Sequence, residues 1–556
     1  MIHCCFENPL FRRLLALAGL LLLATPLHAA TARGTVFHDE NENGNLDAGE
    51  APVPGVRVSN GLDIVLTDAA GRYELPVEGD TVLFVVKPPG YGLPVNASQL
   101  PQFFYIHKPT GSPPNLRYPG IAPTGPLPET INFPLLANGE LSQFEAILFA
   151  DPQPQTEVEL GYIRDDVVSE VIGTKAKFGM TLGDILFDDL SFFNRYNRIV
   201  AQVGIPWFNV PGNHELNFDV DSDEDSLATF IRVYGPRYYS FEYGEVVFIV
   251  LDNVVYQGSV EPTPENPSGR GTYVGRLDDR QMGWLRNEVA HIPKDKLVFL
   301  AMHIPLMSAS GPANGIHTQN GGELLGLLTD HPHVYSVAGH MHSGEHVYLD
   351  EAGVMAEDGR FHHHILSTVS GSWWSGPFDE RGIPTSVQSD GTPNGYHVLE
   401  IDGTEPRVRY QAAGAPATHQ MRISFDSAFH GDNPNGLRDF RHGELFDGRM
   451  TESQSASTWV IINLYDGGPK STVSMRVDGG DDIELVRTPG PAPAVQELQN
   501  RFSAEMKSWV TLYPSQHLWK GRLPALGAGT YRLQVRATDE FNRVHTSFKI
   551  LEITTD

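Results

Sequence analysis

"FNVPGNHE", Phe208 to Glu215, decides how this chain is read. An apolar run stops at a Pro-Gly break, and an amide, an imidazole and a carboxylate follow at once. The same arrangement recurs nearby. "FEAILFA" (144–150) ends in Asp151 and, two residues on, Gln153; "FGMTL" ends in Gly183 and Asp184, with Asp188 and Asp189 behind them. "VFLAM" ends in His303, and "YSVAG" ends in His340 and His342. Between these runs lie segments of helical period, one with Ile163, Val167 and Val171, another with Phe193, Tyr196, Ile199, Val200 and Val203 on one stripe. The alternation predicts an α/β domain with helices covering a sheet. Ligands of such sheets gather outside the carboxyl ends of the strands, so five strands ending in O and N donors predict a metal site with Asn213 and His214 at one corner.

Working outward, the alternation extends from about Phe144 to Asp402. From Gly34 to Val86 the chain reads as short strands separated by Gly, Asn, Asp and Pro, which predicts an N-terminal β-sandwich. A Pro-rich stretch, 107–130, follows as a linker or an extended cover over the next domain. After Asp402 short strands return, with one helix around "AVQELQNRFSAEM", and predict a C-terminal β-sandwich. A chain of 556 residues is too long for one core. The expected division is 1–30, 31–135, 143–403 and 404–556.

"FRRLLALAGLLLLATPLHAA" carries two arginines, an apolar run too short to span a bilayer, and small residues at Ala29 and Ala30. It reads as a secretory signal peptide, so the expected location is secreted or periplasmic. Both cysteines, Cys4 and Cys5, fall in it, leaving no disulfide or thiolate ligand in the mature chain. No other stretch approaches a transmembrane length. The formal charge of −28 disfavours nucleic-acid and anionic-membrane binding and favours cations.

Taken together, "DPQ" (151–153), "GDILFD" (183–188), "GNHE" (212–215), His303 and "GHMH" (339–342) resemble the pattern D-x-H, G-D-x-x-x-D, G-N-H-[DE], H, G-H-x-H of the calcineurin-like metallophosphoesterases. The three-part layout is similar to that of secreted bacterial members. The resemblance implies a four-layer α/β/β/α sandwich and two divalent or trivalent transition metals, manganese, iron or zinc. One would be held by Asp151, Asp184, His342 and Gln153, the other by Asp184, Asn213, His303 and His340, with Asp184 bridging. It also implies that His214 faces the substrate and assists the leaving group, oriented by a carboxylate, Asp188 or else Asp189. Glu215 then fixes the loop or supports the site from behind. Gln153 departs from the family's usual histidine and leaves metal identity open.

"VSGSWWSGPFDERG" (369–382) offers Trp373, Trp374 and Arg381 as substrate contacts, the other reading being that one tryptophan packs an interface. His362–His364 alternate faces on a strand and read as structural, while His317 and His346 fit no template. "DENENGNLDAGE" (39–50) fits the calcium-loop template through Asp39, Asn41, Asn43, Asp47 and Glu50, flanked by strands rather than helices. The expected function is hydrolysis of phosphomonoesters or phosphodiesters, with a metal-bridging hydroxide attacking phosphorus. The alternative is a surface binding protein in which the phosphoesterase domain is a vestige.

Overall fold

The computed structural model describes residues 30–312, 315–426 and 448–556. All of the expected signal peptide but Ala30, and both cysteines, lie outside the described residues. No helix among the described residues is long and apolar enough to cross a membrane.

Two mixed sheets form the centre. In the five-stranded sheet, Trp207–Val210, Phe178–Leu182 and Gln143–Phe149 run parallel, and Gly395–Asp402 and Glu405–Ala412 complete it antiparallel. The six-stranded sheet runs in the order Tyr239–Tyr243, Val246–Val250, Leu297–Ala301, Val334–Ala338, Phe361–Ile365, Glu345–Leu349, its inner four strands parallel and its outer two antiparallel. Period-2 alternation divides each strand between two cores. Ala146 and Leu148 face the other sheet, while Ile147 and Phe149 face helices. Between the sheets Phe178 is sealed, its ring centroid 4.9–5.6 Å from those of Tyr243, Phe248, Phe241 and Phe208. Truncating it to alanine would cost about 3–5 kcal/mol.

Helices cover the outer faces. Phe193–Val200 buries Phe193, Tyr196 and Val200, the stripe expected from the sequence apart from a half-buried Ile199. The 157–171 segment departs from a regular helix: Ile163–Val168 forms a π-turn, and Asp166 within it is buried. Over the six-stranded sheet, Asp279–Ala290 starts where the Asp278 carboxylate accepts from the Gln281 amide, and it buries Met282, Trp284 and Leu285.

The flanking segments are β-rich. Ala30–His38 pairs antiparallel with Arg72–Val77 and parallel with Phe133–Gly139, beyond the Pro-rich stretch. Thr81–Val85 centres a second four-stranded sheet, and its Phe84 meets Trp284. Arg57, buried, pairs with Glu242 of the six-stranded sheet and with Glu288 of the helix Asp279–Ala290. The Pro-rich stretch is the extended cover: Tyr118 is buried, Thr229 Oγ1 donates to its carbonyl and Arg232 Nε to that of Pro119. After Asp402, a four-stranded sheet containing Met421–Phe425 and Trp459–Leu464 and a five-stranded one containing Gly529–Thr538 and Val544–Thr554 share one core.

Candidate metal centre

Five parallel strands end at one edge, and a donor follows each by two or three residues: Asp151 after Phe149, Asp184 after Leu182, Asn213 after Val210, His303 after Ala301, His340 after Ala338. The backbone turns left-handed at Asp151 (φ 45°), Gln153 (40°), Asp184 (48°), Asp188 (60°), His340 (75°) and His342 (50°). Non-glycine residues held there cost of order 1 kcal/mol or more each and persist where the surroundings enforce them. Motif glycines leave room for the donors. A Cβ on Gly183 would lie 2.5 Å from His303 Nδ1, one on Gly212 2.4 Å from Asp184 Oδ1, and one on Gly339 2.3 Å from Asp151 Oδ2.

Asp184, His303 and His340 bring donor atoms within 4.8 Å of one another. His303 Nε2 is 3.2 Å from Asp184 Oδ1, 3.1 Å from Asn213 Oδ1 and 3.1 Å from His340 Nδ1. His342 Nε2 is 3.8 Å from Asp151 Oδ1. Each imidazole's other nitrogen faces a backbone carbonyl: His303 Nδ1 that of Leu182 (2.9 Å), His340 Nε2 that of Gly315 (2.7 Å), His342 Nδ1 that of Gly371 (2.8 Å). Carbonyls only accept, so those nitrogens carry hydrogen and the remaining three are left to ligate. Gln153 Nε2 donates to Asp184 Oδ2 at 2.7 Å, and its buried Oε1 has no partner. The donor set fits hard or borderline cations, with the orphaned Gln153 oxygen among the available donors.

The charges agree. Burial works against the Asp184 carboxylate, but His303 and His214 outweigh it and hold Asp184 well below the usual range. Burial opposes a charged His303 too, yet Asp184 raises it to about 9. Burial, reinforced by His303, pushes His340 down to about 3, and burial pushes His342 down to about 4. Asp151 is driven up to about 7 by burial, partly offset by His303.

His214 stands beside this group. Its Nδ1 lies 2.7 Å from Asp188 Oδ1, and its Nε2 3.9 Å from Asp184 Oδ2. Asp189 instead caps the short turn Leu190–Phe192, accepting from Ser191 N and Oγ. Glu215 accepts from Gly212 N and Leu186 N and so fixes the loop. Three neighbours were not legible in the sequence. Arg270 pairs with Asp188, Phe187 stacks on His214 at 4.4 Å, and Trp509, 45% exposed, stacks on Phe187 at 6.0 Å. Trp509 comes from the C-terminal region, where no motif marks it.

Three family models match in chain order: the N-terminal part of calcineurin-like phosphoesterase over 40–118, calcineurin-like phosphoesterase itself over 156–344, and the C-terminal part over 363–545. The chain belongs to the calcineurin-like phosphoesterases. The family implies a binuclear metal centre and metal-dependent phosphoester hydrolysis. Among solved structures, PhoD is 12% identical, with 69% of this chain and 88% of that one covered, at a TM-score of 0.34. A dimetal phosphatase from Danio rerio is 16% identical, covering 48% and 96%, at 0.33. A purple acid phosphatase from yellow lupin (Lupinus luteus) seeds is 10% identical, covering 65% and 67%, at 0.34. No curated protein matches.

In this phosphoesterase the three expected substrate contacts separate. Trp373 stacks on His342, with ring centroids 3.8 Å apart, and stays at the site. Trp374 is buried, its indole N–H donating to the Pro152 carbonyl, so it packs rather than receives substrate. Arg381 does not reach the centre, because Asp379 and the buried Asp166 hold its guanidinium. The 39–50 loop closes on itself: Asp39 accepts from Asn43 N and Gly44 N, Asp47 from the amides of Asn41 and Asn43, and Glu50 from Glu40 N and Asp47 N.

Proposed function

We propose that this protein hydrolyses phosphomonoesters or phosphodiesters at the strand-end centre, holding one transition metal with Asp151, Gln153, Asp184 and His342 and a second with Asp184, Asn213, His303 and His340. The observation that carries this reading is the set of three imidazoles whose second nitrogens are tied to carbonyls, leaving His303 Nε2 and His340 Nδ1 facing each other at 3.1 Å. Manganese, iron or zinc, when bound, supply Lewis acidity and a water of lowered pKa.

The chain's own residues do the rest. Asp188 fixes the His214 ring through Nδ1–H, so that Nε2–H is the proton offered to a leaving oxygen. Burial disfavours the His214 cation, but Asp184 and then Asp188 overcome it, so the ring keeps its proton to a higher pH than an ordinary imidazole. Arg270, partly exposed beside Asp188, offers positive charge to phosphoryl oxygens. Phe187, Trp509 and Trp373 form apolar walls for the organic part of the substrate.

Gln153 would favour a vestigial binding domain if its side chain were turned away or fully committed. Its Nε2 bond to Asp184 and free Oε1 support a working ligand instead. We read 31–135 and 404–556 as β-sandwich modules flanking 143–403, except that Glu405–Ala412 still belongs to the central five-stranded sheet, the 39–50 loop as a calcium site, and the chain as exported on its N-terminal apolar run. The test is hydrolysis of an aryl phosphate and a diaryl phosphate by metal-loaded protein, with Asp184→Ala and His303→Ala as controls. Loss of both activities with loss of metal is expected; full activity in either variant overturns the assignment.

A further inference from the structure

A second group of metal-compatible side chains lies away from the strand-end donors. His346, His364 and Asp466 place donor atoms within 4.8 Å of one another, and all three are buried. They come from separate places. His346 and His364 face each other across the antiparallel pair Glu345–Leu349 and Phe361–Ile365 of the six-stranded sheet. Asp466 follows Trp459–Leu464 in the C-terminal region, with the left-handed φ (56°) shared by the carboxylates at the strand ends. His397, on Gly395–Asp402 of the five-stranded sheet, is fully buried.

Three imidazole nitrogens surround one carboxylate oxygen. His364 Nε2, His397 Nε2 and His346 Nε2 lie 2.7, 3.6 and 3.7 Å from Asp466 Oδ1. Ligands of a tetrahedral zinc, at about 2.0–2.1 Å from the ion, stand roughly 3.3–3.4 Å apart. The donor atoms of His346, His364 and Asp466 lie within 4.8 Å of one another, and His397 stands just outside that group, 3.6 Å from the carboxylate. The outer nitrogens of two rings already have partners, and His346 Nε2 also faces the Asp466 carbonyl at 3.1 Å, so His346 ligates in the tautomer whose Nδ1–H donates to His362. His346 Nδ1 meets His362 Nε2 at 2.8 Å, and His364 Nδ1 meets the Tyr335 hydroxyl at 2.9 Å. This is the outer-shell support that metal-bound histidines use to fix the ligating nitrogen. A purely hydrogen-bonded cluster satisfies His346, His364 and Asp466, but it leaves His397 with both ring nitrogens buried and unpartnered. A cation gives that ring a reason to be there.

We infer that His346, His364 and Asp466 form a separate structural site for one zinc-like divalent cation, with His397 drawing in as the fourth donor, so that the site joins both central sheets to the C-terminal module. All four ligands are sealed, so the site has no access for substrate, and it supplies a cross-link in a chain with no cysteine beyond Cys5.

The test uses the full chain carrying Asp184→Ala and His303→Ala, so that the strand-end centre contributes no metal. Loaded with Zn2+ and dialysed, this variant should retain about one equivalent, and loaded with Co2+ it should show the intense visible absorption of a tetrahedral site. Adding His364→Ala and His397→Ala should remove both the equivalent and the absorption. In the otherwise native chain, the latter pair should lower the melting temperature while aryl phosphate hydrolysis persists at low temperature. If that pair does not fold, the Co2+ spectrum of the Asp184→Ala/His303→Ala chain still decides. No retained Zn2+ with no Co2+ spectrum, or metal content indifferent to His364 and His397, overturns the proposal.

Discussion

The strand-end cluster around Asp184 and the buried cluster around Asp466 use the same side chains, and both centre on a left-handed aspartate. They differ in cover. At the first, His214 and His340 remain partly exposed, and Arg270 and Trp509 stand open beside them. At the second, every donor is buried and the rings pack against Tyr335, Phe541 and Tyr410. Histidine and aspartate alone do not separate chemistry from architecture; access for a substrate does.

The comparison breaks most visibly at Asp184. Asp184→Ala should abolish hydrolysis of aryl phosphates, measured per folded protein, whereas Asp466→Asn should leave turnover intact and lower the melting temperature. Equal losses of activity would erase the distinction. Next in size is His214→Ala, expected to lower kcat by about 10²–10⁴-fold with KM little changed. Asp188→Asn should fall short of that, at roughly 10–100-fold, because the ring remains but loses its orienting carboxylate. Trp509→Ala sharpens the contrast from the rim: one aromatic contact is worth about 0.5–1.5 kcal/mol, so KM for an aryl ester should rise about 2- to 10-fold. An unchanged KM would remove the C-terminal region from the substrate wall.

The smallest effect concerns the junction below the open site. Asp390 accepts from Gly344 N and from His517 of the C-terminal region. Burial opposes its ionisation, but His517 outweighs this and holds the carboxyl below its ordinary value of 3.8. Its contribution to stability is therefore complete above that value and is lost as the pH falls through the lower folded value. The melting-temperature gap between the wild type and Asp390→Asn should be constant from neutral pH to about 4 and narrow below it.

The open site was largely legible because its donors follow apolar runs, and a strand end in a parallel sheet is a place where side chains collect. The choice of Asp188 over Asp189 was not settled by spacing, since both follow Asp184 closely and only the fold shows which reaches His214. Arg381 misled because its partners, Asp166 in a π-turn and Asp379, leave no periodic trace. The buried cluster was invisible for a related reason. His346, His364 and His397 sit inside strands, where a histidine looks like any other residue of the alternation, and their meeting depends on two sheets and a module packing together. Trp509 and Arg270 lie in segments without regular pattern, and tertiary packing alone delivers them.

The motif glycines leave one mark on descent. Gly183 gives way to His303, Gly212 to Asp184 and Gly339 to Asp151, each serving a donor from a different strand. A lineage that abandoned the metals would release glycine and partner from selection together, so larger residues should enter these three positions soon after the donors disappear. A descendant that keeps all three glycines while its donors are gone has lost its chemistry recently.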